Sequence, residues 1–156
     1  MRLSFRSVSL ENEPAVSLVG AMRAEMSALY DQLDIDAPDM PKGGPAELGP
    51  PGGTFLVGFD AAGEPVCCGG LKRLSDETCE IKRMYVVPQA RRRGVGGQLL
   101  AALERAALEL GYRAIRLDTG PRQPDAERMY RRAGYSPIGN FNSNPIASFF
   151  GEKVLS

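Results

Sequence analysis

Apolar and polar positions along this chain recur with two periods, one helical and one strand-like, and the switches between them divide it into elements. Leu3 to Val8 alternates weakly, which predicts a first strand. From Asn12 the apolar residues Ala15, Leu18, Val19, Met22, Met26, Leu29, Tyr30 and Leu33 recur at helical spacing. Asn12 is the expected N-cap, and Asp34 and Pro38 end the pattern. Met40–Gly53 then holds four prolines and five glycines, too many for a regular element, so 39–53 reads as a loop or lid.

Thr54–Phe59 and Pro65–Leu74 read as strands around the turn Asp60-Ala61-Ala62-Gly63, and Thr78–Val87 as a third beyond Ser75-Asp76-Glu77. Together they predict an antiparallel meander. A helix with Val95, Leu99, Leu103, Ala107 and Leu110 on one face comes next, closed by Gly111. Tyr112–Asp118 is then a strand parallel to Thr78–Val87, reached by a right-handed crossover. Asp125–Ala133 is a short helix closed by Gly134, and Tyr135–Asn140 and Ile146–Leu155 read as two final strands. The order predicts an α/β (α+β) fold, a mixed and mostly antiparallel sheet flanked by helices.

Bulk composition narrows the function classes. At 156 residues without repeats, the expectation is a single domain over 1–156. Nineteen basic residues balance nineteen acidic ones, so no global field attracts nucleic acid or a membrane. The first six residues lack the apolar core of a signal peptide and no apolar run reaches membrane-spanning length, which predicts a cytoplasmic protein. Cys67, Cys68 and Cys79 are odd in number and lack zinc-ligand spacing, so they read as reduced strand residues and no metal is expected. The chain has no histidine, which excludes Ser-His, Cys-His and His-metal mechanisms together.

The most informative stretch is Val87-Pro88-Gln89-Ala90-Arg91-Arg92-Arg93-Gly94-Val95-Gly96-Gly97. A strand feeding a basic glycine turn and a helix N-terminus builds an anion site, because the first helical N–H groups lack partners and the helix dipole favours negative charge there. Two phosphate motifs fail. A P-loop needs Gly-Lys-Ser/Thr where Gly96-Gly97-Gln98 stands, and a dinucleotide fingerprint needs a third glycine where Leu99 stands. Arg91-x-x-Gly94-x-Gly96 remains, with glycines that let backbone approach a pyrophosphate. The blander readings are a solvated arginine cluster, a tight turn, or an RNA contact, the last without any aromatic stacking platform.

At these residues the chain resembles the GNAT superfamily of acetyl-CoA-dependent N-acetyltransferases. The resemblance covers roughly 54–153. It rests on Glu80-Ile81-Lys82-Arg83-Met84-Tyr85-Val86, the glycine turn, Arg116-Leu117-Asp118-Thr119-Gly120, and Ala126-Glu127-Arg128-Met129-Tyr130-Arg131-Arg132-Ala133-Gly134-Tyr135, in that order. It implies the GNAT fold with a splayed parallel strand pair, and coenzyme A binding through Arg91, Arg92, Arg93, Gly94, Val95, Gly96 and Gly97. The pantetheine arm would lie in the gap between the parallel strands, along Met84, Tyr85 and Val86.

Resemblance also implies direct attack of an amine on the thioester. An alkyl amine of pKa near 10 is about 0.1% neutral at pH 7, a deficit of roughly 4 kcal/mol. The carbonyl oxygen needs a donor, and a backbone N–H at the end of Met84-Tyr85-Val86 is the family's solution. The departing thiolate needs a proton or a strong hydrogen bond, and Tyr130 is the candidate. Proton transfer from an unperturbed phenol to a thiolate is uphill by about 2 kcal/mol, so Tyr130 would act as much by hydrogen bonding; its alternative role is packing. Glu80 is the candidate base, with burial raising its pKa. Alternation puts Glu80, Lys82, Met84 and Val86 on one face, so a Glu80–Lys82 surface ion pair is the competing reading.

Gln123 and Arg131 are further candidates for coenzyme contacts. On the acceptor side, Glu25, Tyr30 and the 39–53 loop would frame an entrance, and Phe141-Asn142-Ser143-Asn144-Pro145 supplies amides for a small polar amine. The expected partners are acetyl-CoA and a small-molecule amine, without nucleic acid or membrane, and assembly as a homodimer is left open. The rival reading is a non-catalytic acyl-CoA-binding or regulatory module of the same fold.

Overall fold

The computed structural model describes residues 1–156. The meander forms where the β-rich runs predict it: β2 (Thr54–Phe59), β3 (Pro65–Arg73) and β4 (Thr78–Val86) pair antiparallel in sequence order, with β1 (Ser4–Ser7) added beside β2. The chain crosses over through α2 (Val95–Glu109) to β5 (Ala114–Thr119), which lies parallel to β4. After α3 (Pro124–Arg132), β6 (Ser136–Pro137) and β7 (Phe149–Val154) complete a seven-stranded sheet in the order β1-β2-β3-β4-β5-β7-β6. The remaining helix, α1 (Ala15–Leu29), connects β1 to the long segment before β2.

The sheet separates two cores. Leu99, Leu103 and Ala107 of α2 pack on Leu71, Cys79, Ile81 and Ile115, together with Tyr130 of α3. On the opposite face Leu18 and Met22 of α1 pack on Phe55, Val57 and Tyr85. The 39–53 segment forms no helix or strand, yet it is anchored rather than loose: Leu48 is buried in the α1-side core. All three cysteines are buried and unpaired. No helix is long and apolar enough to cross a membrane.

One irregularity decides which residues reach the site. Between the pairs Cys68↔Tyr85 and Gly70↔Lys82, a single residue of β3 stands opposite both Arg83 and Met84 of β4. This is a β-bulge, with Arg83 in the left-handed region at φ 57°. The extra residue reverses the facing of the rest of the strand. Glu80 and Lys82 therefore do not share a face with Met84 and Val86 as unbroken alternation predicts; Met84 and Val86 pack with the α2-side core.

Other boundaries differ for equally local reasons. Asn12 does not cap α1 with its side chain; its carbonyl accepts the Val16 N–H, and the Glu13 carboxylate accepts the Ser17 N–H. The helix stops at Leu29 rather than continuing to Leu33, because Asp31 and Gln32 both take positive φ. Leu110 lies half-exposed beyond the core stripe of α2, while Gly111 (φ 96°) and Gly134 (φ 102°) close their helices in the left-handed conformation. The last hairpin is much shorter than Tyr135–Asn140 and Ile146–Leu155: the strands shrink to β6 and β7, and the 138–148 loop folds over the sheet.

Candidate active site

The parallel ladder is brief. β4 and β5 pair from Thr78↔Ala114 to Glu80↔Arg116 and no further, although both strands continue. From that point β5 leans on β7 while β4 stays with β3, so a gap opens between them. A cleft of about 1260 Å³ occupies the gap and runs from the glycine turn to the 36–44 and 138–148 segments. Met84, Tyr85 and Val86 line it on one side, and Leu117 to Gly120 on the other.

The glycine turn sits at the mouth. Arg92 (φ 64°) and Gly94 (φ 78°) both take the left-handed conformation, which swings the chain into α2. The first intrahelical bond is from the Gln98 N–H to the Gly94 carbonyl, and no side chain caps the helix. The N–H groups of Val95, Gly96 and Gly97 thus have no intrahelical acceptor, the arrangement that binds anions. A Cβ on Gly96 would stand 2.9 Å from Met129 Sδ, so α3 crowds this end of α2.

The arginines divide. Arg92 lines the cleft and Arg93 does not. Arg91 lines it too, but is already tied: Nε donates to the Val86 carbonyl at 2.9 Å, and Nη2 pairs with Glu25 at 2.7 Å. Arg131 pairs with Glu127 and lies over the Phe149 ring, away from the cleft. Gln123 lines the cleft with its side-chain oxygen engaged, accepting from the Tyr30 hydroxyl at 3.0 Å. Tyr30 also accepts the Arg122 N–H at 3.2 Å, and its phenol lies so close over Gly120 that any Cβ there would collide with it. Tyr30 therefore straps the end of α1 to the loop after β5.

Tyr130 comes from α3 into the inner end of the gap. It is buried, and its hydroxyl has one partner, Met84 Sδ at 3.7 Å. Burial, with the nearby Asp118 charge, holds its pKa above the usual phenol value. The group stays protonated across physiological pH, with a weak thioether as its acceptor.

Glu80 lies on the α1 side of β4, fully buried and outside the cleft lining. Its ion pair with Lys82 at 3.1 Å exists, but as a buried pair rather than a surface one. Asn142 donates to Glu80 Oε2 at 2.8 Å and to Asp118 Oδ2 at 2.7 Å, and Asn144 donates to the same Asp118 oxygen at 3.0 Å. Glu80 Oε1 has no partner. Desolvation raises the Glu80 pKa against the lowering effects of Lys82 and Asn142. The loop amides expected to meet an amine are thus spent on two carboxylates. Asp118 and Arg83, which sequence reasoning did not single out, both line the cleft. Alternation along β5 signals the inward facing of Asp118; nothing in the pattern signals the bulge that turns Arg83.

Residues 12–135 match the acetyltransferase (GNAT) family. The chain belongs to the GNAT family. It is accordingly an acetyltransferase by family. It is 35% identical over 136 residues to an IAA acetyltransferase of Azospirillum brasilense, covering 85% of this chain and 79% of that one. It is 32% identical over 101 residues to an uncharacterized N-acetyltransferase of Schizosaccharomyces pombe, a stretch that spans 64% of this chain and 62% of the relative. A GNAT family acetyltransferase of Elizabethkingia anophelis with acetyl-CoA bound superposes with a TM-score of 0.69 at 17% identity, covering 98% of both chains.

Proposed function

We propose that the protein transfers the acetyl group of acetyl-CoA to a primary amine of a small molecule by direct attack. The observation that carries this reading is the gap itself. Two parallel strands stop pairing at Glu80 and Arg116, uncapped helical N–H groups stand at one end, and a buried phenol bonded only to a thioether stands at the other. A pyrophosphate would take the N–H groups of Val95, Gly96 and Gly97, with Arg92 adding charge and Gly94 setting the turn. The backbone of Met84, Tyr85 and Val86 would guide the pantetheine arm and supply the donor to the thioester oxygen.

The amine nitrogen attacks the carbonyl carbon, the carbon–sulfur bond breaks, and the thiolate accepts a hydrogen bond from Tyr130. Its raised pKa makes Tyr130 a donor of a hydrogen bond rather than of a free proton. The proton released by the amine passes to the Glu80–Asn142–Asp118 network, whose cleft-facing member is Asp118. Glu80 acts there as a positioning residue through Asn142. Tyr85 and Arg91 brace the cleft wall through the contact of the guanidinium with the ring.

The test is free-thiol release from acetyl-CoA with a panel of primary amines, run beside calorimetry of coenzyme A. Binding together with amine-dependent thiol release supports the proposal. Binding without release for any amine contradicts the proposed acceptor.

A further inference from the structure

The floor of the cleft beyond the bulge carries buried groups of both charges. On the side of the 36–44 segment, Arg83 donates to Asp36 at 3.2 Å, and Arg23 pairs with the same carboxylate at 2.9 Å. Two guanidinium groups share the Asp36 carboxylate there, and the Asp36 N–H donates to the Asp34 carboxylate. The Arg83 side chain is 9% exposed and lines the cleft. The bond to Asp36 uses one of its five N–H donors. On the side of the 138–148 loop, the Lys82 ammonium pairs with Glu80, while Asp118 is held by the side-chain amides of Asn142 and Asn144, the first of which also bonds Glu80. Asp118 meets the cleft; Glu80 lies behind it.

A buried guanidinium that lines a cleft with donors unused favours a ligand group that can accept from them. A planar guanidinium with spare donors matches an oxyanion in a forked geometry that a plain amine cannot offer. The geometry points to an acceptor that is itself a zwitterion: a primary amine carrying a carboxylate or phosphonate, with the oxyanion at Arg83 and the amine at Asp118. This deepens the acetyl-transfer reading and rests on it. Arg83 is a specificity residue in this arrangement. Gly43 lets the guanidinium lie close against the backbone of the 36–44 segment: a Cβ there would stand 3.0 Å from Arg83 Nε.

The experiment compares matched acceptors with the full-length enzyme and acetyl-CoA. Amino acids, ω-amino acids and aminoalkylphosphonates are each set against the carboxamide or unsubstituted alkylamine of the same length. We expect kcat/KM for the anionic member to exceed its neutral partner by about 10- to 100-fold, the range of a lost charge-assisted contact. The carboxylate and phosphonate arms show which oxyanion the site takes. In Arg83→Gln the ratio collapses toward one, whereas Asp118→Asn lowers kcat/KM for both members and keeps their ratio. Arg83→Lys restores part of the preference if charge alone carries it. Neutral amines or polyamines acetylated as well as anionic ones overturn the inference and leave acetyl transfer standing. Failure of every amine, with coenzyme A still bound, overturns both. The wild-type ratio decides the matter even where a variant at the bulge does not fold.

Discussion

Replacing Tyr130 by phenylalanine removes one oxygen and little else. Its hydroxyl contacts only Met84 Sδ at 3.7 Å, so the folded state should lose less than the ~1 kcal/mol of an ordinary hydrogen bond. The ring contact with Tyr135, edge to face at 6.1 Å, is retained. The chemical step is different, because charge develops on sulfur as the carbon–sulfur bond breaks. A hydrogen bond to a charged group contributes about 1.5–3 kcal/mol, and more in a dry site, so turnover should fall roughly 10- to 1000-fold. The assay is steady-state thiol release with a saturating amine, beside calorimetry of coenzyme A and a thermal melt. We expect kcat to fall, coenzyme A affinity to hold within a few-fold, and Tm to stay near wild type. A kcat within twofold of wild type, or a loss confined to coenzyme affinity, refutes the role given to Tyr130.

Gly94→Ala should weaken coenzyme A binding by about tenfold and lower Tm by a few degrees. A Cβ meets nothing within 4 Å there, so the cost comes from the positive φ of 78°, about 1–2 kcal/mol; calorimetry and a melt check it. Because the Glu80 pKa is raised above its free value of 4.5, the native state binds more proton than the unfolded chain at pH values between the two. Stability should therefore decline as pH rises from about 4.5 to the native value, and Glu80→Gln should flatten that part of the Tm–pH curve. A variant that keeps the wild-type slope contradicts the assignment. The three thiols should resist a thiol reagent in the native protein and react together in denaturant: burial pushes Cys67 up to about 11 and Cys79 up to about 12, with Cys68 raised as well.

Much of the fold is legible in the sequence because its signals are local. The meander is marked by alternating runs broken at Asp60–Gly63 and Ser75–Glu77. The glycine turn and α2 are marked by the punctuation at Pro88 and Gly94 and by the apolar stripe beginning at Val95. The site is less legible where tertiary contacts override the period. Uninterrupted alternation puts Glu80 and Met84 on one face, but Arg83 at φ 57° inserts a residue and sends them to opposite faces. That bulge brings Met84 to Tyr130 and leaves Glu80 under the 138–148 loop. The flanks of that loop, 138–140 and 146–148, read as strand, but the loop widens beyond the expected turn at Asn142–Pro145, and Asn142 and Asn144 reach inward to Glu80 and Asp118. Tyr30 belongs to the helical period of α1 by spacing. It leaves the helix because Asp31 and Gln32 turn left-handed and its hydroxyl finds Gln123 and the Arg122 N–H.

A crystal structure of the protein with coenzyme A tests the central claim most directly. The pyrophosphate should lie against the N–H groups of Val95, Gly96 and Gly97, with the pantetheine arm between β4 and β5 and the sulfur against the Tyr130 hydroxyl in place of Met84 Sδ. A coenzyme bound outside the gap, or a sulfur separated from Tyr130 by another side chain, contradicts the account.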